Sequence, residues 1–292
     1  MTHYLQTAAI CLCVAALAGS PARAQPTGPD HAERIYFFMD VDGSSATSGR
    51  KGRGCDYHAT QFFADRKVAE LAEAARDGNL ARVNELAAEG VKKNAKGYEG
   101  ITPLIYAMSG ETPKGFRRLL ELGADPNEQT EGGESAVDFA AFRQDPEALK
   151  LSLAFGGNPN LRRHAKPGPK LDRNGIAIEY VDSSPMPIFV AVLGRRPKNV
   201  RILIKAGADI NARDTGGQTP LMAADASRCY DVMYMLLEAG ADFRAKDKLG
   251  HPVSYYMLRY PPRGSNKEMA ESRERCMEFM RTTAGKETIK KR

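Results

Sequence analysis

Two short clusters near the N-terminus contain residue types that often do chemistry. An apolar run at 35–39 is followed directly by Asp40 and Asp42. A carboxylate at the end of a strand can act as a nucleophile, and closely spaced aspartates can also begin a calcium-binding loop. Further along the chain, Cys55 and His58 have the spacing of two zinc ligands. Each of these sites would need further residues from the rest of the sequence.

The sequence context argues against all three sites. The Asp40 motif resembles the first motif of haloacid-dehalogenase-type phosphatases, but those enzymes need a multi-strand α/β domain, and this chain enters helical repeats at residue 64. A calcium loop that began at Asp40 would need a Glu at its twelfth position, where Lys51 stands. A structural zinc site takes about four ligands, and His31 is the only other histidine nearby. We therefore predict no enzyme activity, no metal and no cofactor, and interpret residues 25–63 as an N-terminal arm or cap segment.

The segment 1–24 has the pattern of a cleavable signal peptide. The apolar run at 5–18 is too short to span a bilayer, which needs about 20 residues. Ala22 and Ala24 are small residues at the positions that a signal peptidase accepts. We expect cleavage after Ala24, an exported chain that begins at Gln25, and no membrane span.

The charge of the chain is spread along the sequence. The net charge is +6, with 42% apolar and 27% charged residues, which is ordinary for a soluble globular protein. The densest positive patch lies at Lys286 to Arg292, and we interpret residues 283–292 as a solvated basic tail. A nucleic-acid-binding protein would concentrate such charge on one face of its fold, so we predict no nucleic-acid partner.

An internal repeat dominates the rest of the sequence. Glycines that end apolar helical runs recur at Gly90, Gly123, Gly156, Gly207 and Gly240, so that three of the four steps are equal and the third is longer. A second marker, typified by Thr219-Pro220-Leu221, begins the helical runs and shows the same period with the same interruption. Two independent markers with one period indicate a repeat architecture.

The sequence resembles the ankyrin-repeat family in these markers, best at 217–224 and 236–242. The family's usual histidine is replaced, for example by Asp138 and Met222. The resemblance implies an all-α solenoid of about five to six helix pairs with β-hairpin finger loops, over residues 64–282. The interruption of the repeat lengthens one finger, at about 161–184, where Asn174-Gly175 is a strong hairpin signal.

The local chemistry agrees with helix pairs. Thr219 can cap a helix N-terminus, and Pro220 suits the first helical position, where a missing N–H has no cost. Leu203 and Leu236 lie on apolar stripes with helical spacing. Gly240 can take the positive φ that ends a helix.

Helices at both ends are expected to close the stack. The first pair is predicted at 66–76 and 80–89, and an amphipathic last helix at 267–281, each with a polar outer side. Cys229 and Cys276 come from adjacent layers, so a disulfide between them is one hypothesis. With Cys55, three cysteines remain after cleavage, so at most one intramolecular disulfide can form, and one thiol stays free or pairs with another chain.

In the ankyrin family, partners dock on finger tips and on the exposed side of the first helices. We therefore expect a protein partner and a chain that is monomeric when free. Mapped onto this sequence, the candidate partner-binding residues are Tyr98, Glu99, Ile101, Glu131, Glu134, Phe142, Arg143, Tyr180, Asp182, Thr215, Gln218, Ser227 and Arg259.

The exported ankyrin pattern is similar to bacterial periplasmic ankyrin proteins that act as immunity partners of type VI secretion lipase effectors. This resemblance implies a non-catalytic periplasmic inhibitor of a toxic enzyme. The alternative is a periplasmic ankyrin adaptor that supports a housekeeping enzyme such as catalase.

Overall fold

The described part of the chain is almost entirely helical. The computed structural model describes residues 58–163, 170–171, 177–179, 186–259 and 267–290, with the backbone alone for the two strands and for 284–290. These residues form α1 Arg66–Arg76, α2 Leu80–Ala88, α3 Pro103–Ala107, α4 Lys114–Glu121, α5 Ala136–Phe142, α6 Glu147–Ala154, α7 Pro187–Leu193, α8 Pro197–Lys205, α9 Pro220–Ala226, α10 Tyr230–Glu238, α11 Val253–Arg259 and α12 Lys267–Lys290. The chain divides into two compact units, 1–184 with α1–α6 and 185–292 with α7–α12.

Several helices that come first in their pair begin with a side-chain cap. The Thr219 hydroxyl accepts from the N–H of Met222 at the start of α9, and Pro220 occupies the first turn, as predicted. Thr102 caps α3 in the same way. The same residue types therefore set the same helix boundary in both units.

In the first unit, the first helices of successive pairs contact one another, and so do the second helices. α1 contacts α3 and α3 contacts α5, while α2, α4 and α6 form a second row. Leu71, Leu104 and Leu119 are at most 1% exposed in the core between the rows. Gly115 on α4 allows the closest approach, because a Cβ there would lie 1.8 Å from the Ala75 carbonyl oxygen.

The second unit repeats this arrangement. α7, α9 and α11 form one row of contacting helices, and α8, α10 and α12 form the other. Leu203 and Leu236 are fully buried, which confirms the apolar stripes that the sequence predicted. Each helix pair buries its apolar side against the next pair, as in a solenoid.

A ladder of turns ties successive pairs together within each unit. The side-chain oxygen of Asn127 accepts from the N–H of Asn158 at 2.7 Å. In the second unit, Asn211 accepts from the N–H of Asp242 at 2.8 Å. The period of the repeat thus places each of these asparagines beside the next turn.

The last helix differs from the prediction at its end. α12 continues to Lys290, so most of the predicted basic tail at 283–292 is helical. Within α12, Cys276 and Met280 are buried, on the side that the apolar spacing predicted.

The long finger contains a short antiparallel strand pair. β1 Lys170–Leu171 pairs with β2 Ala177–Glu179. The predicted turn at Asn174-Gly175 lies outside the described residues, as do the predicted signal peptide at 1–24 and residues 25–57.

Candidate protein-binding surface

Two neighbouring finger tips of the first unit form an acidic edge. The backbone carbonyl of Glu99 accepts from the N–H of Glu131 at 2.8 Å, so these two residues lie side by side. Glu99 has φ of +55°, a left-handed conformation that few non-glycine residues adopt. The Glu131 side chain is exposed. The fingers therefore hold two predicted binding residues together through their backbone.

Tyr98 stands at the start of this edge. Its N–H donates to the carbonyl of Phe62 at 2.6 Å, so the segment before α1 takes the place that a preceding finger would occupy. Phe62 itself is buried and packs edge-on against Tyr106, with ring centroids 5.6 Å apart. The Tyr98 side chain is 41% exposed. A rigidly held, half-exposed tyrosine is a typical anchor of protein interfaces.

Two of the predicted contact residues are not available to a partner. Ile101 is 5% exposed because it enters the core where the finger meets α3. Glu134 is 4% exposed because its carboxylate turns inward, where it accepts from the Thr130 hydroxyl at 2.6 Å. The prediction that these two side chains contact a partner is wrong.

Glu134 belongs to a buried charged cluster that the sequence did not reveal. Arg163 lies 3.3 Å from Glu134 and 3.4 Å from Asp138, so one guanidinium faces two carboxylates. Asp138 also completes a capping box with Ser135 at the start of α5. Burial raises the pKa of Asp138, and the attraction of Arg163 only partly opposes that effect. The cluster fixes the base of the long finger to α5.

Phe142 and Arg143 lie where α5 ends. Phe142 is the last helical residue, and Arg143 leaves the helix with extended backbone angles. Both side chains are partly exposed. They offer an aromatic ring and a guanidinium in sequence, the residue types that are enriched at interface hot spots.

The second unit places its predicted residues on one finger and at two helix ends. Thr215 and Gln218 are partly buried, and the Gln218 N–H donates to the Asp214 carboxylate at 2.8 Å. Ser227 ends α9, and its carbonyl accepts from Arg195 at 3.0 Å. Arg259 ends α11 with an exposed side chain. Tyr180 and Asp182, the remaining predicted residues, lie outside the described residues.

An aromatic cluster on the last finger was not predicted. The His251 and Tyr255 rings stack with centroids 3.8 Å apart. Tyr256 donates its hydroxyl to the Asp247 carboxylate at 2.5 Å, and this bond holds the pKa of Asp247 below its usual range. The adjacent tyrosines at 255 and 256 were the available signal, but only the fold brings His251 beside them.

Comparison with known proteins identifies the repeats. A family model described as ankyrin repeats in three copies matches residues 139–247, and a second, of ankyrin repeats in many copies, matches 113–151. Residues 113–247 of the chain are therefore ankyrin repeats. Ankyrin repeats are protein–protein interaction modules, which makes the finger and helix-end residues above candidates for partner contacts.

Several proteins share this ankyrin region. Protein PhlB of Serratia liquefaciens is 32% identical over 159 residues, which are 54% of this chain and 62% of PhlB. Mitochondrial disaggregase of Bos taurus is 31% identical over 170 residues, 58% of this chain and 22% of that protein. The chain thus spans less than two thirds of either relative.

A solved structure supports the same ankyrin fold. The crystal structure of the ankyrin repeat domain of Bcl-3 superimposes with a TM-score of 0.52 at 27% identity. The match covers 64% of this chain and 78% of the Bcl-3 chain. The overlap confirms the all-helical repeat architecture that the sequence predicted.

The cysteines of the ankyrin region do not form the disulfide considered above. Cys229 and Cys276 are both free and buried. The Cys229 sulfur accepts from Arg195 at 2.9 Å, whereas the Cys276 thiol donates to the carbonyl of Tyr230 at 3.3 Å. The two thiols therefore have separate partners, and burial raises the pKa of Cys276 to about 12.

Other kinds of site have little support in the described residues. This part of the chain contains no group of three or more His, Cys, Asp or Glu side chains arranged to hold a metal ion. None of its helices combines the length and the apolar character that a membrane crossing requires.

Proposed function

We propose that this chain is an exported inhibitor that binds a toxic enzyme, of the type VI lipase effector class, through its finger tips and helix ends. The observation that carries the proposal is the edge formed by Tyr98, Glu99 and Glu131. Backbone hydrogen bonds from Tyr98 to Phe62 and from Glu131 to Glu99 fix this edge before any partner arrives. A preordered surface loses little conformational entropy on binding.

The chemistry of the edge supports a specific kind of contact. Two glutamates and a tyrosine at one rim complement a partner surface that carries Lys or Arg next to apolar residues. Phe142 and Arg143 add a second anchor at the end of α5. An inhibitor that covers a basic rim around an active site would use such residues, and electrostatic complementarity would speed its association.

Export is part of the same proposal. The sequence of the segment 1–24 supports it, and the similarity to protein PhlB of Serratia liquefaciens supports a bacterial setting. Expression of the whole chain in a Gram-negative host, followed by fractionation and N-terminal sequencing, tests this part. We expect periplasmic protein that begins at Gln25. Full-length protein retained in the cytoplasm would contradict export.

A growth-rescue experiment tests the inhibitor role. A lipase effector encoded beside this chain is directed to the periplasm with and without the chain, and growth is measured. We expect the chain to restore growth and to co-elute with the effector on gel filtration. Failure of both would refute the inhibitor role. Co-purification with a catalase instead would favour the adaptor alternative.

Matched variants locate the contact. Tyr98→Ala and Glu131→Lys should each weaken the complex by about tenfold or more, because they remove an anchor and reverse a charge at the edge. Glu111→Lys makes the same charge change in the exposed turn between α3 and α4 and should leave the affinity unchanged. Equal effects of Glu131→Lys and Glu111→Lys would place the contact elsewhere.

A further inference from the structure

The last helix pair carries an apolar groove of about 450 Å³. Its apolar lining comes from Phe243, Pro252, Met257, Leu258, Met277 and Met280. All of these residues follow α10 in the sequence, so the groove belongs to the last repeat alone. Leu258 is 66% exposed although it is a large apolar side chain.

The groove lies where the repeat pattern would place another helix. Within the second unit, α7 contacts α9 and α9 contacts α11, so each first helix packs against the next. The last turn also lacks the residue that would tie it to a following one. Arg244 stands two residues after Asp242, in the position that Asn211 occupies after Asp209 one repeat earlier. Among the described residues, α11 is the final member of its row.

The last finger, like α11, is the final member of its row among the described residues. The carbonyl of Gly216 accepts from the N–H of Lys248, and Arg213 donates to the carbonyl of Lys246 at 2.5 Å, so one finger is covered by the next. In the described part of the chain, no further finger follows Leu249, which is 74% exposed. An apolar surface of this kind, with a polar rim, is typical of an interaction site.

The charged residues on the rim of the groove indicate what kind of partner would fit it. The charged residues that line the groove are Arg244, Lys246 and Arg281, and no acidic side chain is among the lining residues. Arg281 is paired with Glu274 and Glu278, at 2.6 and 2.7 Å. Arg244 and Lys246 place two exposed cationic side chains on the rim. An occupant with acidic side chains beside its apolar ones would complement it.

Two occupants from this chain fit poorly. The final residues, Lys290 to Arg292, are all cationic and would be repelled by the rim. The first helix pair of a second copy presents paired charges, such as Arg82 with Glu70 and Lys67 with Glu89, both at hydrogen-bond distance. Such a charged surface is a poor match for an apolar groove.

We propose that this groove binds an acidic amphipathic helix of another protein, which lies in the place of a following repeat's first helix. Apolar side chains at positions i, i+3 or i+4 and i+7 would enter the groove, as in other helix-in-groove complexes. Met257, Met277 and Met280 provide flexible, polarizable walls that adapt to different apolar side chains. The groove shares no residue with the edge at Tyr98, Glu99 and Glu131, so the proposal does not depend on the identity of the toxin.

The test uses the whole mature chain and two synthetic peptides, each long enough for about four helical turns. Both peptides carry the same leucine stripe at helical spacing, one with glutamates and the other with lysines at the flanking positions. Binding is measured by fluorescence anisotropy, and spectra of the chain with ¹³C-labelled methionine methyl groups locate the bound peptide. We expect the acidic peptide to bind at least tenfold more tightly than the basic one and to shift the methyl signals of Met257, Met277 and Met280.

Matched variants test the groove itself. Leu258→Glu and Lys246→Glu should each weaken binding of the acidic peptide by about tenfold or more. Leu80→Glu changes an exposed leucine at the start of α2 that does not line the groove, and Lys198→Glu repeats the charge change on α8. Both controls should bind as the unchanged chain does.

Three results would overturn the proposal. Equal binding of the two peptides would show that the groove has no preference for an acidic partner. Methyl shifts elsewhere would place the peptide outside the groove. Self-association of the free chain that Leu258→Glu abolishes would assign the groove to a second copy instead.

Discussion

Asp225 is a single carboxylate whose surroundings govern its charge. It lies near the end of α9, where burial raises its pKa to about 6, while Arg273 and a hydrogen bond from Tyr230 oppose the shift. Because the folded-state pKa lies above the ordinary value of 3.8, the folded protein binds this proton more tightly than the unfolded chain does. Asp225 therefore lowers the free energy of unfolding as the pH rises from about 4 to 6.

Asp225→Asn should stabilise the protein at pH 7 and have little effect at pH 4. Asparagine removes the cost of ionising a buried carboxylate, and we expect a gain of roughly 1–2 kcal/mol at pH 7, because Asp225 is only partly buried and solvent screens part of that cost. Urea unfolding at both pH values measures the difference. Asp231→Asn, at an exposed position on α10, is the control. An equal gain at both pH values would contradict the assignment.

Arg163 should be essential for the stability of the first unit. It faces Glu134 and Asp138, which are 6% and 1% exposed in their side chains, and its removal leaves two carboxylates with no cation between them. We expect Arg163→Ala to lower the free energy of unfolding by about 3 kcal/mol. The exposed neighbour change Arg162→Ala should cost under about 0.5 kcal/mol. Adding Glu134→Gln and Asp138→Asn to Arg163→Ala should recover much of the loss; no recovery would mean that Arg163 acts through packing.

At the scale of helices and fingers, the sequence predicted the elements well where local chemistry repeats. Caps such as Thr219 and stripes such as Leu203 and Leu236 depend on neighbours within one turn or one helix, and the structure confirms them. The burial of Glu134 could not be predicted, because it depends on Arg163, a partner 29 residues away. A period places residues in a repeat but does not say which way each side chain turns.

The turn ladder offers a prediction at this scale. Asn127 accepts from the Asn158 N–H at 2.7 Å and donates to the Gly156 carbonyl at 2.9 Å, so it joins two successive pairs. Asn127→Ala should cost about 1–2 kcal/mol in the free energy of unfolding, because it removes both bonds. Lys205→Ala removes an exposed side chain on α8 and should cost under about 0.5 kcal/mol. Equal costs would mean that the ladder adds little to stability.

At the scale of the whole molecule, a solenoid is stabilised by contacts between neighbouring helix pairs. The loss of one helix should therefore destabilise the adjacent helices most. In the second unit, α12 protects α10. Phe279 packs edge-on against Tyr234 with ring centroids 5.8 Å apart, and Arg275 lies 4.5 Å from the centre of the Tyr234 ring. α12 also holds α11, because Arg273 donates to the carbonyl of Met257. Loss of this helix should therefore weaken α10 and α11 before α7.

Two truncations test this order. Removal of residues 267–292 should lower the melting temperature by roughly 10 °C or more and reduce hydrogen-exchange protection most in α10 and α11, less in α8 and least in α7. Removal of 284–292 alone leaves Cys276, Phe279 and Met280 in place and should change neither quantity. The decisive measurement is how the loss of hydrogen-exchange protection decreases from α10 and α11 towards α7. Uniform loss of protection over α7–α11 would show that the second unit unfolds as one block, and that its repeats do not act as nearest neighbours.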